Sequence, residues 1–134
     1  MTNLFLAFMV KHAFCDLYFQ NKKVSSDKTK YIGECHSHYF DHFLATLLVC
    51  YIFLLPLEYC VFLAFIDYVF HWHIDFIKTN IIKLFKLNVS NIIYWLIQTF
   101  DQILHYCTYF LLIYLIQNDI SPYLIYKKLL SFFL

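Results

Sequence analysis

The sequence predicts an all-α, polytopic membrane helix bundle, with about four transmembrane helices followed by a short C-terminal interfacial helix. Two observations point there. The 134 residues are 62% hydrophobic and 14% charged, against about 25% charged in a typical soluble domain, and mean hydropathy is +0.62. A single glycine, Gly33, and two prolines, Pro56 and Pro122, leave few breaking points, so long helices with few joints follow. The length suits one structural unit, divided into a bundle over residues 1–120 and an amphipathic tail over 121–134.

Taken in order, the first helix is expected over residues 3–20. It lacks a basic start and a small-residue cleavage site, and Lys11, His12 and Asp16 interrupt its apolar part, so it reads as a retained helix rather than a leader. Residues 21–33 (NKKVSSDKTKYIG) bring Lys22, Lys23, Lys28 and Lys30 together in a polar, serine-containing loop. Segments 36–56 and 58–78 are each long enough to cross a hydrocarbon layer, which takes about 20 residues, and a tight, lysine-free turn at Pro56 joins them. The next connection, residues 79–90, carries Lys83 and Lys86 just after Lys78, and residues 92–117 form the fourth candidate span. Segment 84–98 fits either an interfacial stretch or the first turns of that span. None of the spans is an uninterrupted apolar run; the longest clean stretches are Phe43–Leu57 and Tyr106–Asn118, and the interruptions are nearly all His and Asp. An excess of lysine marks cytoplasmic loops, which places the first and third connections inside and the Pro56 turn and both termini outside. Ser121 and Pro122 suit the cap and first position of a helix, and Tyr123–Leu134 is too short to span, so this tail is placed in the interface.

Several classes are disfavoured. All ten basic residues are lysines and none lies between Phe43 and Ile77, so no nucleic-acid footprint is visible. The five cysteines (Cys15, Cys35, Cys50, Cys60 and Cys107) have no paired spacing and suggest packing rather than a disulfide framework.

The chemistry is carried by polar residues at helical spacing, since positions i and i+4 share a face. The first span has His12 and Asp16, with Gln20 four residues on; the second opens with Glu34, His38 and His42, with His36 and Asp41 beside them. The third contains HWHIDFIK, which sets His71 and Asp75 four apart, with Asp67 a turn earlier and Lys78 a turn later; the fourth contains DQILH, with Asp101 and His105 on one face and Gln102 adjacent. The first three pairs lie at the expected cytoplasmic side, and Asp101 and His105 come level with them if the first turns of the fourth helix run beyond that depth. A charge at the bilayer centre costs about 2.5–3.5 kcal/mol, so these carboxylates are expected to face one another or an ion. Carboxylate oxygen and imidazole nitrogen are ligands for zinc and similar divalent ions, and facing helices build two-metal sites from such pairs. Two alternatives use the same residues. In one, each His simply hydrogen-bonds its own Asp in a structural core; in the other, the groups form a proton or cation path. His36 and His73 lie off the stripes, and Cys15 and Cys107, which flank them, read as packing.

The order of motifs, His12-x3-Asp16-x3-Gln20, a lysine-rich loop, a His-rich helix start, His71-x3-Asp75-x2-Lys78 and Asp101-Gln102-x2-His105, resembles an uncharacterised bacterial and phage family of small membrane proteins, domain of unknown function 3307. The resemblance covers roughly residues 4–115. It implies an integral protein of a bacterial inner membrane or of a phage host, and matches His12, Asp16, Gln20, one loop lysine such as Lys28, one of His38 and His42, then His71, Asp75, Lys78, Asp101, Gln102 and His105. Two positions depart from the family: Leu17 stands where an aromatic is usual, and Cys15 where a glycine is common. Neither touches an expected ligand.

The reading that unites these features is a membrane-embedded, metal-dependent hydrolase of a lipid or phosphoester. His12, Asp16, His71, Asp75, Asp101 and His105 hold one or two zinc-like ions, and His38 or His42 completes the site or transfers protons. Gln20 and Gln102 orient ligands, and Lys78 attracts a phosphate oxygen. Competing readings are a metal-ion or proton conduit and an accessory phage or mobile-element protein acting through helix contacts. The lipid bilayer is the expected partner in all three.

Overall fold

The structure is a computed structural model that describes residues 2–19 and 28–133. It is all-α among these residues: α1 (Thr2–Phe14), which continues as a π-helical turn over Cys15–Phe19, α2 (Cys35–Ile52), α3 (Leu57–Leu84), α4 (Ile92–Gln117) and α5 (Pro122–Phe133). The expected loop lysines Lys22 and Lys23, and Gln20, lie outside the described residues.

The joints show how a chain with so little glycine turns. α2, α3 and α4 each end in the same motif, in which the residue after the last turn adopts a left-handed backbone: Leu54 (φ 61°), Lys86 (φ 51°) and Asp119 (φ 50°). In each, an amide reaches back five residues, from Leu55 to Cys50, Leu87 to Ile82 and Ile120 to Leu115, at 3.0–3.2 Å. This closes the free carbonyls of the helix end. Glycine is the usual occupant, and a side chain there costs about 1–2 kcal/mol. Pro56 follows the first of these turns and starts α3, where its missing N–H is no loss. At α5, Ser121 Oγ accepts from Leu124 N at 3.3 Å, with Pro122 in the first turn, as its spacing predicts.

α3 is the centre of the bundle and packs against α2 on one side and α4 on the other, while α1 closes the remaining face against α2 and α4. The interior has two zones. Toward the Pro56 turn it is apolar, built from Leu4, Phe8, Cys50, Leu63, Tyr109 and Leu112. Toward the other end it is polar, with His12, His38, His42, His71, Asp75, Asp101 and His105 all buried. The outside is the reverse, with Leu6, Val10, Leu17, Leu48, Phe65, Leu96, Phe100 and Phe110 among the exposed large apolar side chains.

Four membrane spans were expected, and the structure supports a narrower statement. Among the described residues only α3, at 28 residues, is long and apolar enough to cross a membrane by length and composition. α1 runs just 13 residues before its π turn, and α2 is 18 residues. In α2 and α4 the His, Asp and Gln of the polar zone dilute the apolar character. The open choice over residues 84–98 resolves into a turn after Leu84 and a helix start at Ile92, so α4 carries more than two turns before Asp101. α3 extends in parallel past Asp75 to Leu84, beyond the expected end at 78.

Candidate metal centre

Each helix brings its polar side chains to the same level for a local reason. On α3, Asp67, His71 and Asp75 are spaced by four and form one inward stripe, 1% exposed each. His38 and His42 form the equivalent stripe on α2, and both are fully buried. On α4, Asp101 and His105 face α3. α1 supplies Lys11 and His12, and Asp16 follows on the π-helical turn. A widened turn of this kind re-aims a side chain and is frequent at functional sites; here it carries Asp16 across to α2.

Two carboxylate foci result. Asp16 Oδ1 lies 3.3 Å from Nε2 of both His38 and His42, and its Oδ2 lies 3.5 Å from His12 Nε2. Asp75 lies 3.7 Å from His71 Nε2 and 3.8 Å from His105 Nε2, and Asp101 lies 3.6 Å from His105 Nε2. The His71 ring joins the foci, with its centroid 3.6 Å from that of His42 and 4.1 Å from that of His105. His12 stands 4.8 Å from His105 and 5.3 Å from both His42 and His71. Thus His12, Asp16, His38, His42, His71, Asp75, Asp101 and His105 are brought into one cluster.

Three sets within it have ligand atoms all within 4.8 Å of one another: His12, Asp16, His42 and His71; His38, His71 and Asp75; and Asp75, Asp101 and His105. Four donors about 2.1 Å from a tetrahedral ion sit roughly 3.4 Å apart, close to the 3.3–3.8 Å His–Asp separations here. Buried polar atoms are ordinarily hydrogen-bonded, yet His12 Nε2, both ring nitrogens of His38, His71 Nδ1 and Asp101 Oδ1 make no hydrogen bond. Imidazole and carboxylate atoms left without partners in this buried zone are of the chemical types that could hold a divalent cation. No cysteine enters any of the three sets.

The surroundings assign some protons. Lys11 Nζ pairs with buried Asp67, lies 3.3 Å from His42 Nδ1 and sits over the Tyr109 ring at 4.9 Å. An ammonium has three donors and no acceptor, so His42 Nδ1 accepts and, in the neutral ring, Nε2 carries the hydrogen toward Asp16. His42 is thereby a donor to the Asp16 carboxylate rather than a ligand through Nε2. Thr46 Oγ1 donates to Asp67 at 2.6 Å, and the Tyr109 hydroxyl meets His12 Nδ1 at 2.8 Å, leaving His12 Nε2 turned to the centre.

Lysines neutralise the second focus. Lys28 Nζ lies 2.5 Å from Asp75, and Lys78 Nζ bridges Asp75 at 2.8 Å and Asp101 at 3.0 Å. Lys28 is held by its own backbone, since its carbonyl accepts from Thr79 Oγ1 at 3.0 Å, and the next carbonyl, of Thr29, accepts from Asn80 Nδ2 at 3.2 Å. Gln102 Nε2 donates to Asp101 at 3.2 Å. From the cluster a cleft of about 640 Å³ opens to the surface between α3 and α4, with Asp16, Lys78, Lys83, Lys86, Tyr94 and Gln98 in its walls.

Sequence reasoning did not pick out Lys11, Thr46 and Tyr109 as members of the site, and it noted Asp67 only as a neighbour. The four-residue spacing of Asp67 from His71 was a usable signal; the others are ordinary residues of their helices until the bundle closes. His36 and His73 lie apart from the cluster, His36 against Tyr68 Oη at 2.6 Å and His73 against the Val69 carbonyl at 2.7 Å. Cys15 is buried, with Sγ 3.9 Å from the Asp41 carbonyl, and Cys107 is exposed.

A family model described as a protein of unknown function, DUF3307, matches residues 4–131. No curated protein and no solved structure matches the chain.

Proposed function

The chain belongs to the DUF3307 family of proteins of unknown function, and we propose that it is a membrane-embedded, metal-dependent hydrolase acting on a phosphoester at headgroup depth. The observation that carries the proposal is the cluster of five imidazoles and three carboxylates with orphaned ligand atoms, opening into a lysine-walled cleft.

The membrane part rests on the inverted distribution of polarity. Apolar side chains such as Leu6, Leu48, Phe65 and Phe110 cover the outside while acids, imidazoles and lysines are buried. Exposed large apolar side chains in such number suit contact with lipid or another protein, and intramembrane ionisable groups face the interior and pair with each other. α3 has the length and composition to span, and α2 and α4, packed along it, share its depth.

For the chemistry, His12, Asp16 and His71 form one ligand set and Asp75, Asp101 and His105 a second, with zinc favoured by nitrogen and oxygen donors in small number. A bound ion of this type supplies Lewis acidity and a water nucleophile at neutral pH. His42, held as a donor by Lys11, orients Asp16. His38, beside Asp16 with both nitrogens unpaired, is placed to accept a proton. Gln102 orients Asp101, and Lys78 and Lys28 offset the negative charge of the Asp75–Asp101 pair. A conduit is less well supported: past Asp67 the interior is Phe8, Leu63, Leu112 and Ile113, with no buried acid or imidazole among the described residues to continue a path.

The decisive measurement is the metal content of protein purified in detergent without added chelator, together with turnover of a phosphodiester in mixed micelles. One or two equivalents of zinc or a similar ion are expected, lost in His71→Ala and in Asp101→Asn along with turnover. Wild-type protein that binds no metal on titration would overturn the proposal.

A further inference from the structure

Beyond the metal cluster the cleft contains two lysines that form no ion pair among the described residues. Lys83 and Lys86 are exposed in its wall, and neither has a carboxylate partner among the described residues, unlike Lys78, whose ammonium already bridges Asp75 and Asp101. Opposite them stand Tyr94 and Gln98 from α4; Gln98 Nε2 donates to the Tyr94 hydroxyl at 2.8 Å, which leaves the hydroxyl hydrogen to point elsewhere. Lys86 is held at the left-handed residue that ends α3, with its amide bonded to the Lys83 carbonyl at 3.2 Å. The two lysines are therefore set on the same terminal turn, facing a polar wall across a cavity of about 640 Å³.

We propose that Lys83, Lys86 and Tyr94 form an anion subsite that takes a phosphate group. Its place in the fold defines its role. Lys83 is eight residues beyond Asp75 on one helix, a rise of about 12 Å, so the subsite holds a group next to the reacting bond rather than the reacting group itself. Interactions with such a remote group are a source of binding energy for positioning. On the hydrolase reading, on which this role rests, the substrate carries a second anionic group, and the cleft discriminates against neutral esters. Paired lysines suit phosphate because each offers a full charge and up to three donors to its oxygens. The same chemistry is offered by an anionic lipid headgroup and by a soluble phosphorylated molecule.

The test uses full-length protein stripped of metal and placed in phosphatidylcholine nanodiscs, with inorganic phosphate titrated and followed by 31P NMR line broadening. Saturable binding is expected, weakened by about tenfold or more in Lys83→Gln/Lys86→Gln. The Lys83→Arg/Lys86→Arg protein should restore it, and Lys127→Gln, which removes a cation on α5, should leave it unchanged. Monodisperse elution and an unaltered metal content on reloading show that the double variant is folded and that the metal centre is independent of the subsite. Competition by 20% phosphatidic acid in the nanodisc would assign the anion to a lipid headgroup, and its absence to a soluble phosphoanion. Phosphate affinity equal in wild type and the double glutamine variant, or an equal loss in Lys127→Gln, would overturn the proposal, while leaving the metal reading to its own assay.

Discussion

The Lys11–Asp67 pair offers the sharpest test of how this interior is held together. Both side chains are buried, 5% and 2% exposed, and the pair is completed by Thr46 on the carboxylate and by His42 and the Tyr109 ring on the ammonium. Removing one partner of a buried pair leaves the other charge unpaired and costs about 3–5 kcal/mol. Replacing both with apolar groups of similar size removes that penalty and is often neutral. Lys11→Met should therefore destabilise strongly, by roughly 10–20 °C in melting temperature at about 3–4 °C per kcal/mol for a chain of this size. Asp67→Leu should do the same, and Lys11→Met/Asp67→Leu should recover most of the loss. The assay is thermal unfolding in one detergent, followed by near-ultraviolet circular dichroism, for all four members of the cycle. A Lys11→Met protein that melts within a few degrees of wild type would refute the reasoning. So would a double variant that is as unstable as the sum of the singles.

Other expectations follow from the same geometry. Leu54→Gly and Asp119→Gly relieve a left-handed side-chain conformation at a helix end and should each stabilise the protein by about 1 kcal/mol, read as a higher melting temperature; a decrease would mean those side chains contribute more than their backbone costs. On the proposed metal reading, retention should fall only as pH is lowered well below about 5, because the ligand atoms must be deprotonated to bind and protons compete poorly for groups buried this deeply; dialysis at fixed free zinc measures it, and retention undiminished down to about pH 3 would argue against imidazole and carboxylate ligands. Trp95 is 53% exposed beside Leu96 and Phe100, so brominated lipid should quench its fluorescence in reconstituted protein, whereas quenching by aqueous iodide alone would place this face in water.

The all-α class, the Pro56 turn and the capped start at Pro122 were legible because composition and capping chemistry act locally. So were the pairs His12 and Asp16, His71 and Asp75, and Asp101 and His105, since four residues of helix return a side chain to the same face whatever it packs against. The four-span expectation went beyond this: the polar residues of the interior dilute α2 and α4, α1 is too short, and among the described residues α3 alone meets that standard.

Periodicity along one helix carries no information about depth relative to another, and tertiary packing settled the rest. It set Asp101 level with Asp75 through Lys78, turned Asp16 toward His38 and His42 by widening one turn of helix, and joined Lys11 to Asp67 across 56 residues of chain. A single strand of sequence lists which groups share a face; which faces meet, and hence which nitrogen holds a proton and which lysine is left without a counter-charge, depends on how the helices slide and rotate against one another as their side chains pack.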